Sequence, residues 1–284
     1  MVILRFLDKE LLGNEVKDKY EKLIKYLKSY NTNVIIAFSG GIDSSFLAIT
    51  AVNVLGNENV LLVTFDSPFM FRSDIEIAKR IARFINAKHL ILKVSLKNPD
   101  IWRNPPNRCY LCKQEMFKTL LNYAKKVLSR FVVMDGTNAD DVQKHRPGLR
   151  ALQELGVKSP LAELGFTKKD VRVLAKELGL PNWNKPPSSC LATRIPYGEL
   201  ITIEKLRRIE TAENIVKKIV KVELVRVRSH GNIARIEVDK NMRKLFFDEG
   251  VMDRIHESLR KLGYTYVTLD LYGYREGSMD ESLR

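Results

Sequence analysis

Apolar positions in the first half of the chain follow two alternating rhythms. From Glu15 to Ser29, Val16, Tyr20, Leu23 and Leu27 recur at helical spacing and share one face. Short, nearly continuous apolar runs come next: Val34–Phe38, Val60–Phe65, His89–Val94 and Phe131–Met134. Such runs are the pattern of strands buried on both faces. Helical stretches separate them: Asp43–Leu55, Ser73–Phe84 with Ser73 as its expected cap, and Tyr110–Ser129 after a polar, proline-bearing loop at Asn98–Asn107. Strands alternating with long helices predict an α/β fold, a doubly wound parallel sheet that binds ligands at the carboxyl ends of its strands.

Around residue 200 the rhythm changes. Ile203–Val220 reads as a long amphipathic helix. Val222–Arg228 and Ile233–Val238 alternate with period two around Ser229–Asn232, the pattern of a hairpin. Two helical segments and a strand at Tyr266–Leu271 follow. We therefore expect a nucleotide-type domain over 1–198 and a smaller α+β domain over 199–284, serving substrate binding or oligomerisation, with the boundary near Tyr197–Gly198.

Composition narrows the function classes. A chain of 284 residues, 45% hydrophobic, can bury one large core or two moderate ones. No apolar run approaches the roughly 20 residues of a spanning helix. Met1–Phe6 lacks the basic-then-apolar plan of a secretory leader, so a cytoplasmic protein with no membrane partner is expected. The net charge of +14 favours an anionic partner, and it is uneven. Residues 1–199 carry 31 Lys and Arg against 20 Asp and Glu, while 200–284 carry 17 against 14. Nucleotide or RNA would satisfy the excess, and charge alone does not separate them.

The chemistry concentrates in a few segments. Ser39-Gly-Gly-Ile-Asp-Ser-Ser45 follows the first apolar run. Gly40 and Gly41 let backbone N–H groups approach a phosphate, and the helix beginning near Asp43 points its positive end at the same place. Ser39, Ser44 and Ser45 add hydroxyls. The second run ends at Thr64-Phe65-Asp66, and the fourth at Asp135-Gly-Thr-Asn-Ala-Asp-Asp141, where carboxylates around Gly136 suit a nucleotide and its Mg²⁺. Gly-Thr-Asn is equally ordinary turn chemistry. There are three cysteines. Cys109 and Cys112 form a CxxC at a helix start beside Arg108 and Lys113, and Cys190 lies in a loop followed by Arg194. Three thiolates suit zinc or a 4Fe–4S cluster with one open position; the other reading is a redox pair plus an unrelated Cys190. Arg194, Arg226 and Arg228 are candidates for a substrate phosphate or AMP, the last two sharing a strand face. A solvated cationic strand face would look the same. His89, His145, His230 and His256 show no metal spacing. His145 is expected to line the loop after the fourth strand, and none is expected to act as a catalytic base.

The loop at 39–45 resembles the SGGxDS signature of the PP-loop ATP pyrophosphatases. With Gly136-Thr-Asn138, Arg108-Cys-Tyr-Leu-Cys-Lys113, Ser189-Cys-Leu-Ala-Thr-Arg-Ile-Pro-Tyr-Gly198 and Leu269-Asp-Leu-Tyr-Gly-Tyr-Arg-Glu-Gly-Ser-Met279, the chain is similar to the LarE family. That family comprises PP-loop sulfur transferases of nickel-pincer nucleotide biosynthesis. The resemblance implies a carboxylate nucleotide substrate, pyridinium-3,5-biscarboxylic acid mononucleotide, adenylated by ATP with Mg²⁺ near Asp43. Pyrophosphate would leave into the cradle of Ser39, Gly40, Gly41, Ser44 and Ser45. Sulfur would come either from a sacrificed Cys190 or from a transferable sulfide on the free iron of a 4Fe–4S cluster held by Cys109, Cys112 and Cys190; the cysteine pattern resembles the cluster-bearing members. The alternative is a PP-loop tRNA thiolase, against which the chain has no cysteine-rich flanking module and no aromatic-plus-basic RNA-binding segment. Apolar helix faces in the second domain could support a homo-oligomer.

Overall fold

The computed structural model describes residues 13–143 and 147–283. Its internal contacts divide the chain into two compact units. One holds the described residues up to Lys97 together with Cys109–Pro187. The other holds Asn98–Arg108 and the chain from Ser188 onward.

The first unit begins with helix α1 (Asn14–Ser29), which buries Tyr20, Leu23 and Leu27, the predicted face. Strands β1 (Asn33–Ala37), β2 (Val60–Asp66) and β3 (Lys88–Lys93) alternate with α2 (Ile42–Leu55) and α3 (Arg72–Ile85). After the short α4 (Pro99–Trp102), which lies in the second unit, come α5 (Arg108–Val127) and β4 (Phe131–Asp135). The sheet order is β3-β2-β1-β4, every pair parallel. Val34, Ile35 and Ile36 are successive and all fully buried, so both faces of β1 are covered, whereas β3 at the edge is only half-buried. Asp135 N–H donates to the Lys158 carbonyl and Lys158 N–H to Val133, extending the sheet beyond β4.

Four further helices complete this unit: α6 (Ala139–Val142), α7 (Pro147–Glu154), α8 (Pro160–Glu163) and α9 (Lys168–Glu177). Helix α2 is buried almost throughout from Ile42 to Ala51, against α1, α9 and the sheet. Ser73 is not a cap: α3 starts one residue earlier, after Phe71, whose buried ring anchors the helix start in apolar surroundings.

In the second unit, the Asn98 side chain caps α4 by accepting from Asp100 N–H at 2.9 Å. Asn104 is fully buried with a left-handed φ of 57°, and its Nδ2 donates to the Ile195 carbonyl at 3.1 Å. Helix α10 (Ile203–Val220) packs on strands β5 (Val225–His230) and β6 (Ile233–Val238) around Ala212, Val216, Val227 and Ile236. The hairpin turns at Gly231–Asn232, with Gly231 at φ +59°. After α11 (Glu249–Lys261), strand β7 (Tyr266–Leu269) adds parallel to β6. Strand β5 is not half-solvated as its alternation suggested, for Val225 through Ser229 are all buried.

Candidate active site

In a sheet of order β3-β2-β1-β4, consecutive connections turn opposite ways on either side of β1. The crevice between β1 and β4 is therefore the place for a ligand. The loop leaving β1 fills it. Gly40 takes φ +70°, and a Cβ there would stand 2.8 Å from Ala78 Cα of α3, so only glycine fits. Gly136, leaving β4, meets the first turn of α2: a Cβ would lie 2.7 Å from Ser44 N. No described side chain caps the first turn of α2, so its amides are available to an anion.

The three serines of the loop differ in role. Ser39 Oγ and Ser44 Oγ lie 3.1 Å apart, Gly41 N–H donates to Ser39 Oγ at 3.2 Å, and Ser44 Oγ donates to the Gly41 carbonyl at 3.1 Å. Ser45 is fully buried and accepts from Asn182 Nδ2 at 3.0 Å, so it braces the loop from behind and does not line its mouth.

Asp43 is the acidic group of this turn. Its Oδ1 accepts from Asn138 Nδ2 at 3.1 Å, and its Oδ2 pairs with Lys168 Nζ. Both carboxylate and ammonium remain partly solvent-exposed. The carboxylates after β4 are otherwise engaged, contrary to the sequence expectation of a Mg²⁺ set. Asp135 is buried and takes Thr137 Oγ1 and Ser159 Oγ, each at 2.6 Å. Asp141 closes the capping box of α6, and Asp140 accepts from Lys168 N–H at 2.7 Å.

Thr64 and Phe65 turn their side chains into the fold. Thr64 gives its hydroxyl proton to the Phe38 carbonyl at 2.6 Å and lies 2.8 Å from His89 Nε2, so Nε2 is the protonated nitrogen. Burial, then Lys79, push the His89 imidazole below its ordinary value. The Phe65 ring packs against Phe117 at 5.3 Å, so either residue would meet a nucleotide only through its backbone.

The second unit builds the Cys190 loop around Arg194. This side chain is wholly buried. Its Nε donates to Glu213 Oε1 at 2.8 Å, and its Nη1 donates to the Ser189 and Cys190 carbonyls at 2.9 and 3.2 Å. Arg194 is thus the clamp of the Cys190 loop and not a solvent-facing ligand for phosphate. Arg228 is similarly spoken for: Nη2 reaches Glu237 at 2.7 Å and Ser278 Oγ at 3.0 Å, and Nη1 the Thr193 carbonyl at 2.9 Å. Arg226, buried, stacks over Tyr274, and burial followed by the Arg194 charge brings its guanidinium down to about 10. The solvated-face reading of these arginines is thereby excluded.

All three cysteines are half-buried. Cys112 Sγ lies 3.4 Å from Met116 Sδ. Arg108, expected to support the thiolates, instead sends its guanidinium to Asn104 Oδ1 and to the Ala192 carbonyl. Among the described residues no group of three or more His, Cys, Asp or Glu side chains is set to hold a metal ion. His145 lies outside the described residues, as does the Met1–Phe6 segment. No described helix is long and apolar enough to cross a membrane.

Comparison with known proteins agrees with this site. The NAD synthase family model matches residues 15–100, the stretch carrying β1, the glycine loop and β2. A pyridinium-3,5-bisthiocarboxylic acid mononucleotide synthase of Lactiplantibacillus plantarum is 37% identical over 93% of this chain and 95% of its own. The chain belongs to the LarE family. Uncharacterized proteins of Synechocystis sp. (38% identical, 94% of this chain and 99% of the relative) and Methanocaldococcus jannaschii (37%, 97% and 99%) align over nearly their whole lengths. As a LarE-family chain with a PP-loop domain, it is an ATP-dependent, adenylating sulfurtransferase.

Two residues of this LarE-family site escaped the sequence reading. Lys168, the partner of Asp43, opens α9 directly after Thr167, whose capping box with Asp170 was a legible Thr-x-x-Asp helix start. Asn182, which holds Gly40 and Ser45, lies in an irregular turn with no such signal.

Proposed function

We propose that this protein activates the carboxylates of pyridinium-3,5-biscarboxylic acid mononucleotide with ATP and converts them to thiocarboxylates for a nickel-pincer nucleotide. The observation that carries the reading is the uncapped first turn of α2, opened by Gly40 and bordered by Gly136 at the switch point of the sheet. Carboxylate oxygen is a poor leaving group, so a substrate oxygen first attacks the α-phosphorus and pyrophosphate departs. The amides after Gly40, with the Ser39 and Ser44 hydroxyls, receive that diphosphate; this is positioning and charge neutralisation, not covalent chemistry by the protein. Bound Mg²⁺ would neutralise phosphate charge next to Asp43, where Asn138 and Lys168 already hold the carboxylate. Sulfur then attacks the acyl carbon and AMP leaves. Arg226, stacked over Tyr274, is the retained candidate for the substrate phosphate.

For the sulfur source, the reading supported by three thiols in the chain is a 4Fe–4S cluster on Cys109, Cys112 and Cys190. The second reading is Cys190 giving up its own sulfur. Anaerobically prepared protein decides between them. Iron and acid-labile sulfide with repeated turnover support the cluster; iron-free protein that loses the mass of one H₂S per turnover supports Cys190. Failure to form AMP and pyrophosphate with the biscarboxylic nucleotide would overturn the whole reading, and tight, salt-sensitive tRNA binding would replace it with a tRNA thiolase.

A further inference from the structure

The carbonyl of Gly40 accepts from Asn182 Nδ2 at 2.9 Å, and the same nitrogen reaches Ser45 Oγ at 3.0 Å. Asn182 is buried, and its Oδ1 has no hydrogen-bond partner among the described residues. The amide orientation follows from chemistry, because a carbonyl only accepts and must face the NH₂ end. Burying an amide oxygen without a partner is unfavourable, so this side chain is not the residue that packing alone would select.

The turn carrying Asn182 is itself anchored. Lys185 N–H donates to the Asn182 carbonyl at 3.1 Å, Lys185 Nζ pairs with Asp74 of α3 at 3.0 Å, and Arg172 of α9 reaches the Lys185 carbonyl at 3.4 Å. A peptide unit is planar, with its C=O and N–H antiparallel. Tying the Gly40 carbonyl back to Asn182 therefore turns the Gly41 N–H the opposite way, where Ser39 Oγ takes it at 3.2 Å. Ala78 closes on Gly40 from α3 and leaves little room for the peptide to rotate.

We propose that Asn182 is a positioning residue of the phosphate loop, holding the Gly40–Gly41 peptide so that its N–H fixes the Ser39 hydroxyl at the mouth that receives the departing diphosphate. The inference rests on the ATP reading above, and the experiment separates the two. Binding of Mg²⁺-pyrophosphate and of a non-hydrolysable α,β-methylene ATP is measured by calorimetry on the full chain, with melting followed in parallel. Asn182→Leu keeps the branched shape but removes the donor to the Gly40 carbonyl and Ser45 as well as the unpaired oxygen, so some melting shift is expected, and pyrophosphate should bind roughly tenfold more weakly, about 1.4 kcal/mol, in protein that the melting curve shows to be folded. Asn182→Asp should bind poorly at pH 8, where a carboxylate faces the carbonyl, and recover as acid restores an O–H donor. Pyrophosphate affinity within twofold of the parent protein in Asn182→Leu, or a flat pH profile in Asn182→Asp, overturns the inference. Parent protein that binds neither ligand overturns the ATP reading itself, and this inference with it.

Discussion

Arg194 and Glu213, both excluded from solvent, face each other with Nε 2.8 Å from Oε1, and the same carboxylate oxygen accepts from the Val227 N–H at 3.1 Å. One ion pair thus fastens the Cys190 loop to α10 and β5. Breaking a buried pair leaves an uncompensated charge, so Glu213→Gln should cost about 3–5 kcal/mol in denaturant unfolding. The double change Arg194→Met with Glu213→Leu should restore most of the stability without restoring sulfur transfer, because the Ser189 and Cys190 carbonyls lose their donor.

Asp43 and Lys168 are expected to act on the first half-reaction. Asp43→Asn should lower pyrophosphate release about 10²-fold or more, and Lys168→Ala by a comparable factor that Lys168→Arg partly recovers. Single-turnover release of pyrophosphate checks both, and unchanged rates would remove these residues from the adenylation step.

Gly40→Ala combines a strained φ with a Cβ only 2.8 Å from the Ala78 backbone. The expected cost is about 1–3 kcal/mol, with ATP binding lost beyond what the melting shift explains. Gly136→Ala should act through Ser44 instead, displacing the first turn of α2.

His89 makes stability depend on pH. Its folded-state pKa lies below the ordinary 6.5 because of burial and then Lys79, so the unfolded chain takes up protons first as pH falls. Its contribution is complete above pH 6.5 and is lost progressively below it, as the pH drops through the folded value. His230, lowered chiefly by burial, acts in the same sense. Denaturant midpoints at pH 7.5 and 5.5 should therefore diverge, and His89→Gln should narrow the gap; an unchanged gap would exclude His89 as a contributor.

Local chemistry made much of this protein readable in advance. Consecutive buried β-branched residues in β1, periodic apolar positions in α1 and paired glycines at 40–41 each specify their own conformation, so the parallel sheet and its phosphate loop follow from short stretches of chain. The order β3-β2-β1-β4, the pairing of Asp43 with Lys168 and the seat of Asn182 behind Gly40 do not, because each joins residues more than ninety positions apart or depends on which strands become neighbours. The arginines mark the difference most clearly. Charge and alternation suggested hands held out to a phosphate, whereas packing turned Arg194 and Arg228 inward to Glu213 and Glu237, since a guanidinium removed from water must find its counter-charge within the fold.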